Sequence, residues 1–181
     1  MTAPAASATS VWKLDPSHSN IEFSARHLMF TTVKGRLVDV DGTVTVNGTT
    51  PDTAEVDVTI KAASIDTHTE QRDQHLRSAD FLDVENHPEL TFRSTNISGA
   101  KEHFALTGDL TIRGTTKPVT LDVTYEGAGK DPWGGERMGF SADGKIDRRE
   151  FGLTWNQVLE SGGVIVSNDI KIHIDAQLVR A

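Results

Sequence analysis

Seven histidines in a chain of 181 residues that has no cysteine make a histidine metal centre the first chemistry to test. His18, His27, His75 and His87 are the candidates for convergence. Neither spacing with a known ligand geometry occurs, since there is no His-Glu-x-x-His helix and no His-x-His pair on a strand. Nucleophilic catalysis has no better footing. No Gly-x-Ser-x-Gly elbow is present, Ser161-Gly162-Gly163 reads as a flexible loop, and a chain without cysteine has no thiolate. No glycine-rich loop opens onto a helix to cradle a phosphate. The reading is therefore of a protein without catalytic residues, without a metal and without a cofactor.

The densest polar stretch runs from Ser64 to Asp83, and it is the one segment with helical spacing. Thr67 and Glu70 fit a capping box that starts a short helix near residues 68–78. Arg72, His75, Leu76 and Ala79 then share a face. A single helix in such a chain is either a lid over an opening or a plug in it.

The rest of the chain alternates apolar and polar residues with period two. Val56, Val58 and Ile60 are opposed by Asp57, Thr59 and Lys61; Phe104, Leu106, Leu110 and Ile112 by Thr107, Asp109, Thr111 and Arg113. Leu121, Val123 and Tyr125 form one dry face, and Ile170, Ile172, Ile174, Ala176 and Leu178 another. About eight strands emerge, near 20–28, 33–47, 54–61, 89–98, 103–113, 116–127, 136–147 and 168–180. Turn-forming runs at Asn47–Asp52 and Gly114–Pro118 separate neighbours. Gly42, Gly108 and Gly144 fall on the dry parity, where glycine relieves crowding in a curling sheet and leaves room inside. The fold predicted is all-β: one extended, eight-stranded, antiparallel up-and-down barrel over residues 11–181, preceded by a flexible tail at 1–10.

Composition narrows the partners. A formal net charge of −8 without a basic run argues against nucleic acid and anionic surfaces. A hydrophobic fraction of 36% fits a thin wall with one wet face. No apolar run is long enough for a transmembrane helix. Met1–Ser10 lack the basic start and apolar core of a signal peptide, which predicts a cytoplasmic protein.

Four ordered motifs resemble the YceI family of lipocalin-like, polyisoprenoid-binding-type proteins, over Trp12 to Arg180. They are Trp12–Phe23 followed by His27, then Gln71–Leu76 with Asp80–Asp83 and His87–Phe92, then Gly108–Val119, and finally Asp147–Leu153. The resemblance implies a barrel whose apolar pore holds a long amphiphile, such as a polyisoprenoid, an isoprenoid quinone or a fatty-acid-like molecule, and implies no catalysis. The dry parity, together with the spacing of the helical segment for Leu76 and Phe81, then puts Phe23, Leu76, Phe81, Phe92, Phe104, Leu106 and Leu110 on the pore wall with Leu121, Val123, Tyr125, Phe140, Ile146, Ile172 and Ile174. His18, Arg72, His75 and Arg77 are the head-group candidates at the mouth, with pinning of the helix as their structural alternative. The rival functions are a metal-dependent enzyme using clustered histidines and a filled barrel acting in stress or interaction without a small ligand. A homodimer is compatible with either.

Overall fold

The computed structural model describes residues 8–48 and 50–181. Its strands are β1 (Thr9–Leu14), β2 (Asn20–His27), β3 (Thr31–Leu37), β4 (Val40–Asn47), β5 (Ala54–Lys61), β6 (Ile65–Asp66), β7 (Glu89–Gly99), β8 (His103–Ile112), β9 (Thr115–Lys130), β10 (Glu136–Asp147) and β11 (Asp169–Arg180), with one helix, α1 (Glu70–Arg77). All pairings are antiparallel. The order β1-β4-β5-β7-β8-β9-β10-β11 closes on itself through β1 and β11, and β2, β3 and β6 extend it beyond β11.

The eleven segments make eight staves because three staves are broken. A 3₁₀ turn at Pro16–His18 separates β1 from β2, Val38-Asp39 separates β3 from β4, and Ala62–Ser64 separates β5 from β6. At the first break Pro16 lacks an amide hydrogen for the ladder, and the Asp15 carboxylate accepts from the Ser17 amide at 3.0 Å. β11 therefore pairs with two halves of one stave, through Trp12↔Arg180 on β1 and Ile174↔Ile21 on β2. The eight-stranded barrel read from alternation is the observed fold. The expected tail reaches into it, however: Thr9 and Ser10 pair with Asn47 and Val46. Residues 1–7 lie outside the described residues.

Alternation survives into three dimensions, with one correction. A bulge at Thr95 shifts the β7–β8 register between Ser94↔Gly108 and Asn96↔Thr107. Phe92 and Ile97, of opposite parity, thereby both border the interior. The link between β8 and β9 is also tighter than the turn run suggested. Arg113 and Gly114 turn the chain with φ of 49° and 72°, and Thr115–Pro118 already belong to β9.

Helix α1 begins later than the capping box implied. Its N-cap is Thr69, whose side chain makes no capping bond. Thr67 is instead buried and donates from its amide and hydroxyl to Asp73 Oδ1, at 2.9 and 2.5 Å, while Glu70 accepts from Gln74 and Arg77. Ala79 lies beyond the helix, which ends at Arg77. The following turn inserts Phe81 and Leu82, both buried, into the end of the barrel. Arg113 ties them down by donating to the Phe81 carbonyl at 3.0 Å.

Candidate functional site: an apolar cavity along the barrel

The connections sort themselves to two ends. β4–β5, β7–β8 and β9–β10 are joined at one end; α1, the β2–β3 and β8–β9 turns and the long β10–β11 segment gather at the other. A cavity of about 780 Å³ lies between, and its wall draws on both ends, from Ser10, Pro51, Lys101 and Tyr125 to His75, Arg148 and Trp155. That volume lies within the roughly 300–1,000 Å³ of small-molecule pockets.

Period two explains why the wall is apolar: every stave sends alternate side chains inward. All the residues expected on the pore wall border the cavity, including Leu76 and Phe81 from the helical segment. Val56 and Val58, read on the dry parity, border it too. Sequence reasoning missed others: Trp12 and Val46 extend the same alternation, and their parity was the available signal. Trp155, Ile165 and Val166 come from the irregular β10–β11 segment, which carries no periodic signal.

The inward glycines do less to create room than expected. Gly42 borders the cavity, but the space inside Gly108 is taken by the Phe92 ring, and that inside Gly144 by Leu121, whose Cδ2 would stand 2.5 Å from an added Cβ. Gly35, unremarked in the sequence, receives the Phe23 ring in the same way. These glycines let large neighbours lie flat against the wall, which is how a narrow barrel is curled and packed.

The four head-group candidates separate in the structure. His18 is turned to the outside, bonded to Asp15 Oδ2 at 2.9 Å and 61% exposed at its side chain. Arg77 fastens α1 to the barrel through the Ala63 and Ile65 carbonyls, at 2.9 and 3.1 Å. Neither borders the cavity. Arg72 does border it, though its Nε donates to Thr67 Oγ1 and its Nη2 to the Thr67 carbonyl, at 2.7 and 2.8 Å. His75 also borders it, with Nε2 2.9 Å from Asp80 Oδ2 and its ring edge-on to Phe81 and Trp155 at 5.1 and 4.7 Å.

The histidines do not assemble. His27 and His75 border the cavity, His87 packs over Gly114, and His18 faces out. Among the described residues no group of three or more histidine, aspartate or glutamate side chains is placed to hold a metal ion.

One wall residue stands apart. Arg148, 3% exposed, follows the inward parity of Ala142, Gly144 and Ile146 on β10. Its Nε donates to the Ser167 carbonyl at 2.9 Å, and its Nη1 to the Leu153 and Trp155 carbonyls at 2.7 and 2.8 Å. Nη2 is buried without a partner. Burial pulls this guanidinium below its ordinary pKa, with Asp147 opposing the change. Asp147 itself is held down to about 2, chiefly by hydrogen bonding to Arg149, which it meets at 2.6 Å. The adjacent arginines thus divide their work: Arg149 takes the carboxylate outside, and Arg148 goes in.

No helix of the described residues is long and apolar enough to cross a membrane. The profile of the YceI-like domain matches residues 12–178. A UPF0312 protein of Serratia proteamaculans (strain 568) is 42% identical over 172 residues, covering 94% of this chain and 86% of that protein. The Campylobacter jejuni YCEI protein shares the fold with a TM-score of 0.74 at 32% identity, over 85% of this chain and 88% of that one. A polyisoprenoid binding domain from Saccharophagus degradans gives a TM-score of 0.65 at 13% identity, over 94% and 98% of the two chains, a likeness of fold alone. The barrel, its inserted helix and these matches agree that the chain belongs to the YceI-like family.

Proposed function

We propose that this protein binds a long-chain amphiphile, a polyisoprenoid, isoprenoid quinone or fatty-acid-like molecule, with the hydrocarbon tail inside the barrel, and carries or sequesters it without chemical change. The observation that carries the reading is the cavity of about 780 Å³ with an overwhelmingly apolar wall. Inward residues such as Ile21, Phe23, Ile172 and Ile174 are only half-buried, which speaks against a filled barrel. The Saccharophagus degradans domain of the same fold is described as polyisoprenoid binding, which supports this ligand class.

The energetics are adequate. Each methylene buried contributes roughly 0.8 kcal/mol, so a chain of about ten carbons offsets the costs of association and ordering. Such a wall discriminates weakly by length, since one methylene is worth only about 1–3 kcal/mol. The test is native mass spectrometry of gently purified protein, followed by solvent extraction and identification of what is released. A stoichiometric amphiphile is expected. Protein that emerges empty and also fails to take up long-chain alcohols or isoprenoids would sink the reading.

A further inference from the structure

The bonds of Arg148 explain only part of its guanidinium. Nε and Nη1 hold the carbonyls of Leu153, Trp155 and Ser167, which stitches the β10–β11 segment to the barrel. That structural role uses three of an arginine's five N–H donors. The two on Nη2 remain, buried in a residue of the cavity wall.

The charge is equally unanswered. Among the described residues no carboxylate pairs with Arg148 within 4.0 Å; Asp147, next to it in the chain, pairs with Arg149. An arginine stays protonated even when buried, and carbonyl dipoles repay only part of the desolvation of a full charge. The wall near it leans the same way, although the chain carries −8 overall. Of the charged residues among the described residues that border the cavity, Glu22 and Arg26 share the outward parity of β2 and Lys101 lies at the other end, which leaves Arg72 and Arg148. Arg72, His75 and Arg148 belong to the helix-covered end, and the Trp155 carbonyl that receives Arg148 continues into the ring that meets His75.

We infer that this end of the cavity is a binding site for an acidic head group, a carboxylate or phosphate carried by the amphiphile, with Arg148 Nη2 as the donor that receives its oxygens. The inference rests on the lipid-binding reading and narrows its ligand class to acidic amphiphiles. The guanidinium is already fixed through Nε and Nη1, and an oxygen reaches the buried Nη2 when a neighbouring wall side chain shifts aside. A charge-assisted bond in a water-poor corner is stronger than a neutral one. The tail then extends along the apolar wall toward Tyr125 and Ile97.

The test compares heads on one tail. Palmitate, the matching alkyl phosphate, the matching alcohol and the matching amine are titrated against the wild-type protein by calorimetry, with tryptophan fluorescence as a second readout. The acid and the phosphate are expected to bind about tenfold or more tightly than the alcohol, with the amine weakest. In Arg148→Gln the acid-to-alcohol ratio should fall toward one, and Arg148→Lys should restore part of it. Acetate and inorganic phosphate, lacking a tail, should not displace palmitate; displacement by either would assign the corner to a free anion and overturn the head-group reading. Equal binding of acid and alcohol by the wild type, or an acid preference that persists in Arg148→Gln, would overturn it too. Those results leave the lipid pore standing, whereas failure of all four amphiphiles to bind removes pore and head-group site together. Should Arg148→Gln not fold, the wild-type series alone decides.

Discussion

β8 and β9 on one side of the barrel and β2 and β11 on the other obey the same alternation and border the same cavity, yet they bury their inward residues differently. Phe104, Leu106, Ile112, Val119, Leu121 and Val123 are buried, with Leu110 and Tyr125 half-buried, while Ile21, Phe23, Ala25, Ile170, Ile172 and Ile174 are only half-buried, with Leu178 at the end of β11 buried. The difference comes from what each side meets. The segment after α1 drives Phe81 and Leu82 against the ends of β7 to β9 and is held there by Arg113. The side made by β2 and β11 is extended at its end by Ile165 and Val166 of the β10–β11 segment, and its inward face fronts on open volume. One half of the wall is core; the other is surface turned inward.

The comparison breaks most easily at the insert. Phe81→Ala should cost about 3–5 kcal/mol, the usual range for a large aromatic removed from a core. Urea unfolding with ligand off-rates measured in parallel checks this. A small stability loss with much faster ligand exchange would make the segment a lid rather than a plug.

Within the strands themselves, Leu121→Ala is expected to cost about 2–5 kcal/mol and Ile172→Ala only about 1 kcal/mol, because truncation beside an existing cavity adds little new void. Ile172→Ala should show itself instead as weaker retention of a hydrocarbon tail. Equal losses of stability at the two positions would erase the distinction between the halves.

The glycines sharpen it further. A methyl group at Gly108 meets the Phe92 ring and, at 2.6 Å, the Arg93 carbonyl oxygen; that backbone atom cannot swing away, so Gly108→Ala should cost about 1–3 kcal/mol. At Gly144 the obstacle is the tip of the Leu121 side chain, which can rotate, and the expected cost of Gly144→Ala is about 1 kcal/mol or less. Thermal midpoints of the two variants rank them.

Acid should loosen the open half first. Asp15, at the β1–β2 break, is held well below the usual carboxylate range by the Ser17 hydroxyl, then His18 and Arg137, and its amide donates to Gln177 on β11. Asp147 sits at about 2 against an ordinary 3.8. As the pH falls the unfolded chain takes up protons before the native one. The stability these groups contribute is therefore present above 3.8 and is lost as the pH drops toward the folded values. Hydrogen exchange at descending pH should release β2 and β11 amides before those of β8 and β9; simultaneous release would contradict the contrast. The smallest effect is expected at His173, on the outer face of β11, whose pKa is raised mainly by its hydrogen bond to Asp143. Its contribution is full below the ordinary histidine value and lost as pH rises through the raised one. The melting difference between wild type and His173→Gln should accordingly shrink as pH is raised past neutrality.

Much of this was legible in the chain because period two leaves the same mark whether a strand faces core or cavity. For the same reason, alternation could not tell Leu121 from Ile172; only the insertion of Phe81 and Leu82, a tertiary event, separates them. β1 escaped notice because Thr9 and Ser10 look like tail and Pro16 interrupts the run into β2. Ile97 was obscured by the bulge at Thr95. Thr67 and Glu70 matched a capping box, but burial gave Thr67 a better acceptor in Asp73. Arg148 was the most readable of the missed residues, since the parity of Ala142, Gly144 and Ile146 points it inward, while a doublet of arginines in sequence looks like a solvated pair.

The double pairing of β11 bears on how the protein is made. Of the barrel's strands this one follows all the others in the chain, and it alone pairs both with β10 and with the two halves of the first stave. During synthesis the ring cannot close until β11 has left the ribosome, so until then β10 and the first stave lack their shared partner. Unpaired edges of that kind invite wrong pairings. On the proposed lipid-binding function, a ligand that requires a closed wall enters only after synthesis has passed β11, and loading becomes an event in the life of the finished molecule rather than of the growing chain.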